Sequence, residues 1–460
     1  MLTDDWLRSG SISYARLLLV LAVACYIAMF NLTYRDLVAP TFEFWGLGYH
    51  QLSFFQFSTS AMFCIIPAFW MPVRFSRPSL LFFYVQYFLI FIPASFIVYY
   101  SVRPEVTSHD ALMLVVAMFA GMSVIQVAYL VPARQIRAIR VTPEFFWVVF
   151  AAAAGLMLTY LAVTLGGAFR LAKDFQDVYV VRTAMAEALT ATGSRFGFYA
   201  QSLISTVALP FLFAVGMYLR RWWVALPVAA GYLFLFGIGG AKAAALGIVY
   251  LPASFVLLSR KPHRIAFYVA AGLSVLLLAG YLTKALLAPS ANIGYLALVH
   301  FRFFTVPPLT IPQYFDFFQS HPMTHLSHVT GLNMLMDYPY DLDVPYTVGS
   351  YFYTDKVGLN SGFWAADGIA GFGILGVPLV SVFCAIVFWL LDSVSAELDP
   401  TFVALVLTYC TVFFGNVSLF TTLITGGLAM LMVIMAVAPR DERGLIRLPS
   451  LSYVRKVAVR

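Results

Sequence analysis

The chain predicts an all-α, polytopic membrane protein, on three observations. Hydrophobic residues make up 62% of its 460 residues and charged residues only 11%, whereas a soluble domain carries roughly a quarter charged residues. Twelve apolar runs can be drawn, at 13–33, 53–72, 79–100, 111–132, 145–165, 199–219, 222–239, 243–258, 265–285, 370–391, 400–418 and 419–438. Each approaches the ~20 residues that cross ~30 Å of hydrocarbon. The basic residues also sort by side. Connections after even-numbered runs carry Arg74 and Arg77, then Arg134, Arg137 and Arg140, then Arg220 and Arg221, then Arg260, Lys261 and Arg264. Arg8 and Arg16 at one terminus, and Arg440, Arg443, Arg447, Arg455, Lys456 and Arg460 at the other, join the same side, making eighteen of the 28 Lys+Arg. The positive-inside rule makes that side, and both termini, cytoplasmic.

Residues 1–460 therefore read as one integral membrane domain. The net charge of +7 is mostly this cytoplasmic bias and does not point to nucleic acid. Cys25, Cys64, Cys384 and Cys410 all fall inside expected membrane helices, so no disulfide framework is implied. The first apolar run follows a short acidic segment, Asp4-Asp5, and is long enough to remain as a helix, so no cleavable signal peptide is expected.

Two long segments fall on the outer side. The first, 166–198, opens with Gly166-Gly167 and has apolar residues at 175, 178, 179, 185 and 189. That loose helical period predicts an amphipathic helix at the outer interface. The second, 286–369, is too polar to cross and rich in Tyr, Phe and Pro, and is expected to fold as a cap over a cavity. Its run HPMTHLSH (321–328) predicts a short helix with Ser320 as cap and Pro322 in the first turn. His321, His325 and His328 would then share one face. The acids Asp337, Asp341 and Asp343 sit in a Pro/Tyr turn.

Ten basic residues remain on the outer side or in the outer half of the membrane. Arg182, Arg195, Lys242 and Arg302 stand at helix ends or in loops facing the outer leaflet. Each has a plain alternative: snorkelling for Lys242, a cation–π or headgroup contact for Arg302 among Phe301, Phe303 and Phe304, and salt bridges to Glu187, Asp174 or Asp177 for Arg182 and Arg195. Arg170 and Lys173 read as surface charges. For the histidines the alternatives are a plain interfacial role or a metal site; no carboxylate follows in the register of a zinc helix, so no metal and no cofactor are expected.

The order of these features resembles the O-antigen polymerase (Wzy-type) family of oligosaccharide repeat-unit polymerases. The residues that carry the resemblance are the bend Gly240-Ala241-Lys242 within FGIGGAKAAALG, the outer arginines Arg182 and Arg195 before it, and NSGFWAADGIAGFGILG (360–376) after it. Asn360-Ser361, Asp367 and Phe372-Gly373-x-x-Gly376 match the family pattern loosely; Trp364-Ala365-Ala366 departs from it. The resemblance spans about 180–390. It implies a GT-C-like membrane glycosyltransferase of the bacterial cytoplasmic (inner) membrane. A glycan would pass from undecaprenyl pyrophosphate to a sugar hydroxyl of a second lipid-linked repeat unit at the outer face. Membrane lipids, a flippase and a chain-length regulator are the partners it implies.

Within that reading, Arg182, Arg195, Lys242 and Arg302 would bind the leaving diphosphate, where developing charge needs fixed cations. His325 or His328 would take the acceptor's proton, with Asp367 as the other catalytic candidate. Asn360, Trp364 and Tyr338 would contact sugar. Competing readings are an O-antigen ligase-like transferase using the same donor and a transporter or flippase of lipid-linked sugars. The flippase reading predicts mid-helix charges and repeat symmetry, which the chain lacks. A membrane O-acyltransferase would place its polar clusters on the cytoplasmic side. A transferase using polyprenyl monophosphate sugars would carry acids in the first outer loop, where Asp36 and Glu43 stand.

Overall fold

A computed structural model describes residues 14–100, 107–136, 139, 141–171, 175–240, 242–260, 264–329, 332–354, 357–360, 364–442 and 444–449. These residues form helices joined by turns; the one β-contact is an isolated bridge between Arg440 and Ile446. An apolar environment leaves the backbone no water to bond, so every amide must be satisfied within its own helix.

The elements, in chain order, are α1 (Tyr14–Thr41), α2 (Phe54–Phe69), α3 (Leu80–Tyr100), α4 (Ser108–Ala128), α5 (Pro143–Leu165), α6 (Phe175–Ala191), α7 (Phe196–Tyr218), α8 (Trp222–Gly239), α9 (Lys242–Arg260) and α10 (Ile265–Leu286). They continue with α11 (289–320), α12 (Val344–Phe352), α13 (Ala365–Phe372), α14 (Gly376–Val394), α15 (Pro400–Phe414), α16 (Leu419–Leu423) and α17 (Leu428–Val437). Three helix starts are capped by polar residues: Ser53 with Gln56 and Thr107 with Asp110 form capping boxes, and Thr142 receives the Phe145 amide before Pro143.

Nine helices among the described residues are long and apolar enough to cross a membrane, counting α13–α14 and α16–α17 as one segment each. The chain is therefore a membrane-embedded helical protein. The runs at 53–72, 243–258 and 400–418 correspond to shorter apolar helices, at Phe54–Phe69, Ala244–Ser259 and Pro400–Thr411.

The segment 286–369 differs from the expected cap. Its first half is not loop but α11, a long helix with Leu309, Ile311, Tyr314, Phe317 and Phe318 buried. The helix carries Pro312 and a ten-residue π-helical stretch, Leu296–Thr305, which local polarity had hidden. It lies against α1, α3, α10 and α13.

The bundle has two chemically distinct ends. At one, Ser79 donates to Asp392 through its amide (3.0 Å) and its hydroxyl (2.8 Å). Arg77 donates to the Val131 carbonyl (2.8 Å), and Trp389 donates to Pro132 (3.1 Å). Arg440 pairs with Glu397 at 3.2 Å, and Trp147 donates to the Arg447 carbonyl at 2.9 Å. Segments 74–79, 129–136 and 440–447, the basic ones, thus gather together. Arg8, Arg137, Arg140, Lys261, Arg443, Arg455, Lys456 and Arg460 lie outside the described residues.

At the other end, Gln56 bonds Ser108 (3.2 Å), Tyr353 donates to the Trp45 carbonyl (3.2 Å), and the Arg170 amide donates to Gly237 (3.0 Å).

One close backbone contact in the bundle is a chain reversal. Gly373, at φ +63°, ends α13 and lets it fold back on α14. A Cβ on Gly368 would sit 2.5 Å from backbone atoms of Gly376. Backbone cannot yield as a side-chain tip can. Gly368→Ala should therefore destabilise the protein by roughly 1–3 kcal/mol, read as a lowered unfolding midpoint in detergent. Gly294→Ala, where nothing lies within 4 Å, should leave the midpoint unchanged or slightly raised.

Candidate functional site

The short helix α13 is buried from Ala365 to Gly371. Ending inside protein, it exposes carbonyls that need donors. The segment 321–329 supplies them. Thr324 donates to the Ala370 carbonyl through its amide (2.8 Å) and hydroxyl (2.9 Å), and the His325 amide donates to Gly371 (3.1 Å). This docking corrects the helix expected over the HPMTHLSH run. His325 and Leu326 take left-handed φ values of 49° and 67°, so the segment is a chain of turns and the three histidines share no helix face.

Each histidine has its own setting. His321 stacks on Phe317, centroids 4.1 Å apart, and its Nδ1 donates to the Phe317 carbonyl (2.9 Å), closing the end of α11. His325 is exposed and lies near the Phe372 ring, 5.7 Å between centroids. His328 Nδ1 lies 2.9 Å from the Thr324 hydroxyl. That hydroxyl also bonds the Ala370 carbonyl, so one side of the His328 ring is tied to the docking contact. Burial pushes the His328 pKa down to about 4, which leaves it neutral near pH 7 but weakly basic. Of the two, only His325 is exposed and within reach of an acceptor hydroxyl.

Asp367 sits in the first turn of α13, where a carboxylate suits the positive helix end. It is buried, and its Oδ2 accepts the Leu419 amide at 2.8 Å, capping the start of α16. Its position ties two short helices together and does not present an open carboxylate.

Trp364 departs from the sugar-contact role expected of it. It is fully buried at φ +75°, its indole donates to Ser381, and its ring fills the space beside Gly121 on α4. It is a wedge between α4 and α14, with no face free for stacking. Asn360 is exposed; its neighbour Leu359 accepts from the buried Tyr314 hydroxyl (2.8 Å). Tyr338 is half-buried, donating to the Leu342 carbonyl (2.7 Å), and Asp337, Asp341 and Asp343 are exposed.

The cations fall in two places. α6 buries Val178, Val181, Met185 and Leu189 and leaves Arg182 exposed. It passes over the start of α9: the Val178 carbonyl closes against Gly240, two residues before Lys242. Arg195, exposed, immediately precedes α7, beside the Leu189–Gly197 contact. Arg182, Arg195 and the first turn of α9 thus share one neighbourhood. Arg302 stands elsewhere, on α11 beside α1 and α10, with its guanidinium 5.6 Å from the Phe301 ring. In segment 166–198 Arg170 pairs with Asp177 (2.8 Å); Lys173 and Asp174 lie outside the described residues.

α16 links the first neighbourhood to the histidine segment. Leu419 at its start bonds Asp367, and Thr425 beyond its end accepts from Ser202 of α7 (2.6 Å). No metal-holding group of three or more His, Cys, Asp or Glu occurs among the described residues.

One buried residue had no signal in the sequence. His300, in the π-helical part of α11, is fully buried, and neither ring nitrogen has a hydrogen-bond partner. Gly280 on α10 makes the space for its Nε2. Comparison with known protein families, curated proteins and solved structures finds no match to this chain.

The lowered His328 pKa has a testable sign. Unfolding releases the imidazole to its usual value of 6.5, so the unfolded chain binds a proton that the folded chain refuses. Stability is full above pH 6.5 and falls as the solution is acidified towards 4, by at most about 3 kcal/mol. Between pH 6.5 and 5, above the carboxylate range, the unfolding midpoint should drop for the wild type and stay flatter for His328→Gln.

Proposed function

We propose that this protein is a membrane glycosyltransferase that polymerises lipid-linked oligosaccharide repeat units. On this reading it is a twelve-crossing, GT-C-like bundle of the bacterial cytoplasmic membrane with both termini cytoplasmic. The observation that carries the proposal is the polar segment 321–329, bonded to the open end of α13 at the far end of the bundle from the basic residues. It holds an exposed histidine where the positive-inside rule puts the outer face.

The chemistry follows from the residues. The acceptor hydroxyl loses its proton to a neutral imidazole, that of His325, as its oxygen forms a bond to the sugar C1. The C1–O bond to the diphosphate breaks, and its electron pair leaves with undecaprenyl pyrophosphate. Arg182, Arg195 and Lys242 meet that charge, the arginines with paired donors suited to phosphate oxygens. Arg302, on α11, would serve the acceptor's lipid diphosphate. Asp367 positions α13 against α16, and Asn360 faces the sugar. His325→Ala should lower polymer formation by roughly 10²-fold or more at matched expression, and Arg182→Lys should fail as Arg182→Ala does.

A strain lacking the gene should accumulate lipid carriers bearing single repeat units. Full-length polymer left unligated on its carrier would indicate a ligase instead, and an unchanged profile would remove lipid-linked sugars from the account.

A further inference from the structure

The hairpin between α7 and α8, at the basic end, is built in a way its own backbone does not favour. The Arg221 amide donates to Gly216 (2.8 Å) and the Arg220 amide to Met217 (3.1 Å). This pair of bonds closes a helix with the next residue in the left-handed region, a place that glycine normally takes. Arg220 holds it instead, at φ +56°. Val224 packs into the space over Gly216, its Cβ 2.6 Å from where a glycine side chain would begin, so the turn is tight.

Two arginines and two tryptophans follow one another here. Trp222 and Trp223 are 58% and 63% exposed, and Arg220 and Arg221 are exposed with no acidic partner among the described residues. Trp222 leans edge-on against Phe255 near the end of α9, centroids 5.6 Å apart. Leu226, one turn into α8, and Val256 on α9 are also exposed. An apolar face framed by two helices thus ends at a lip of two guanidinium groups.

We propose that this hairpin is a binding site for an anionic phospholipid. The acyl chains lie along Leu226, Trp222 and Val256, and the headgroup phosphate is held by Arg220 and Arg221. Indole rings favour the headgroup level of a bilayer, and each arginine near an anionic leaflet gains attraction that a zwitterionic leaflet does not offer. Phosphate binding supplies the reason for an arginine at a glycine position: the strained turn aims both guanidinium groups at one anion. This site is independent of the chemistry proposed for the opposite end.

The test is thermal unfolding of the full chain in dodecyl maltoside with added lipid. Phosphatidylglycerol should raise the unfolding midpoint by roughly 3 °C, while phosphatidylcholine and free inorganic phosphate should not. Arg221→Ala and Arg220→Gly should each lose the phosphatidylglycerol shift. Without lipid, Arg220→Gly should unfold at or above the wild-type temperature, because glycine relieves the turn. Equal shifts with phosphatidylcholine would reduce the site to an apolar contact, and an equal shift with inorganic phosphate would make it a free-anion site; either overturns the proposal. So would a full phosphatidylglycerol shift in both variants, or a lower lipid-free midpoint for Arg220→Gly, which would make Arg220 a structural residue.

Discussion

The fold-back of α13 on α14 is the constraint on which the site depends. Gly368 and Gly376 let the two backbones meet, and Gly373 supplies the left-handed turn between them. The result is a buried helix of eight residues that stops inside protein. A helix end there is costly unless its carbonyls are bonded, and the Thr324 and His325 amides do that bonding. The histidine segment is therefore held where it is by its backbone and the Thr324 hydroxyl, and the His325 side chain is left exposed. Trp364, driven into the gap at Gly121 and bonded to Ser381, holds the start of the same helix.

A second broken segment sits against the first. α16 stops at Leu423, Gly427 turns at φ +79°, and α17 continues. Asp367 and Ser202 bond its two ends. Irregular backbone at membrane depth survives only inside protein or beside a polar cavity. Two such breaks, tied by one carboxylate, join α7, which follows directly on Arg195, to the helix on which the histidine segment docks. The opposite end is built differently. There, Arg77, Ser79 and Asp392 clamp the connections, and Arg440 pairs with Glu397.

The membrane helices were largely legible in the sequence, because lipid makes hydropathy and helix formation nearly the same requirement. α3, α5, α8 and α10 fall within a few residues of their apolar runs. What escaped was set by contacts distant in sequence. α11 reads as polar loop because its four prolines and its π-helical stretch break the local pattern; it is helical because it is buried among α1, α3, α10 and α13. The HPMTHLSH run has helix spacing and a cap, yet it is turned by carbonyls some 46 residues on, at Ala370. Trp364 looked like a stacking surface because sequence shows no burial. Arg182, Arg195, Lys242 and Arg302 were picked out by charge on the outer side, and the fold adds which helices carry them.

The claim at the centre of this account is that the end bearing His325 faces outward and the arginine-rich end faces the cytoplasm. It is tested by labelling single cysteines in intact cells with a membrane-impermeant maleimide. Leu335→Cys, on the exposed segment after the histidines, should react in intact cells, and Ile139→Cys, at the basic end, should react only after permeabilisation. Both residues are exposed, so accessibility alone does not separate them. Reaction of Ile139→Cys in intact cells with protection of Leu335→Cys would place the histidine segment in the cytoplasm and contradict the account.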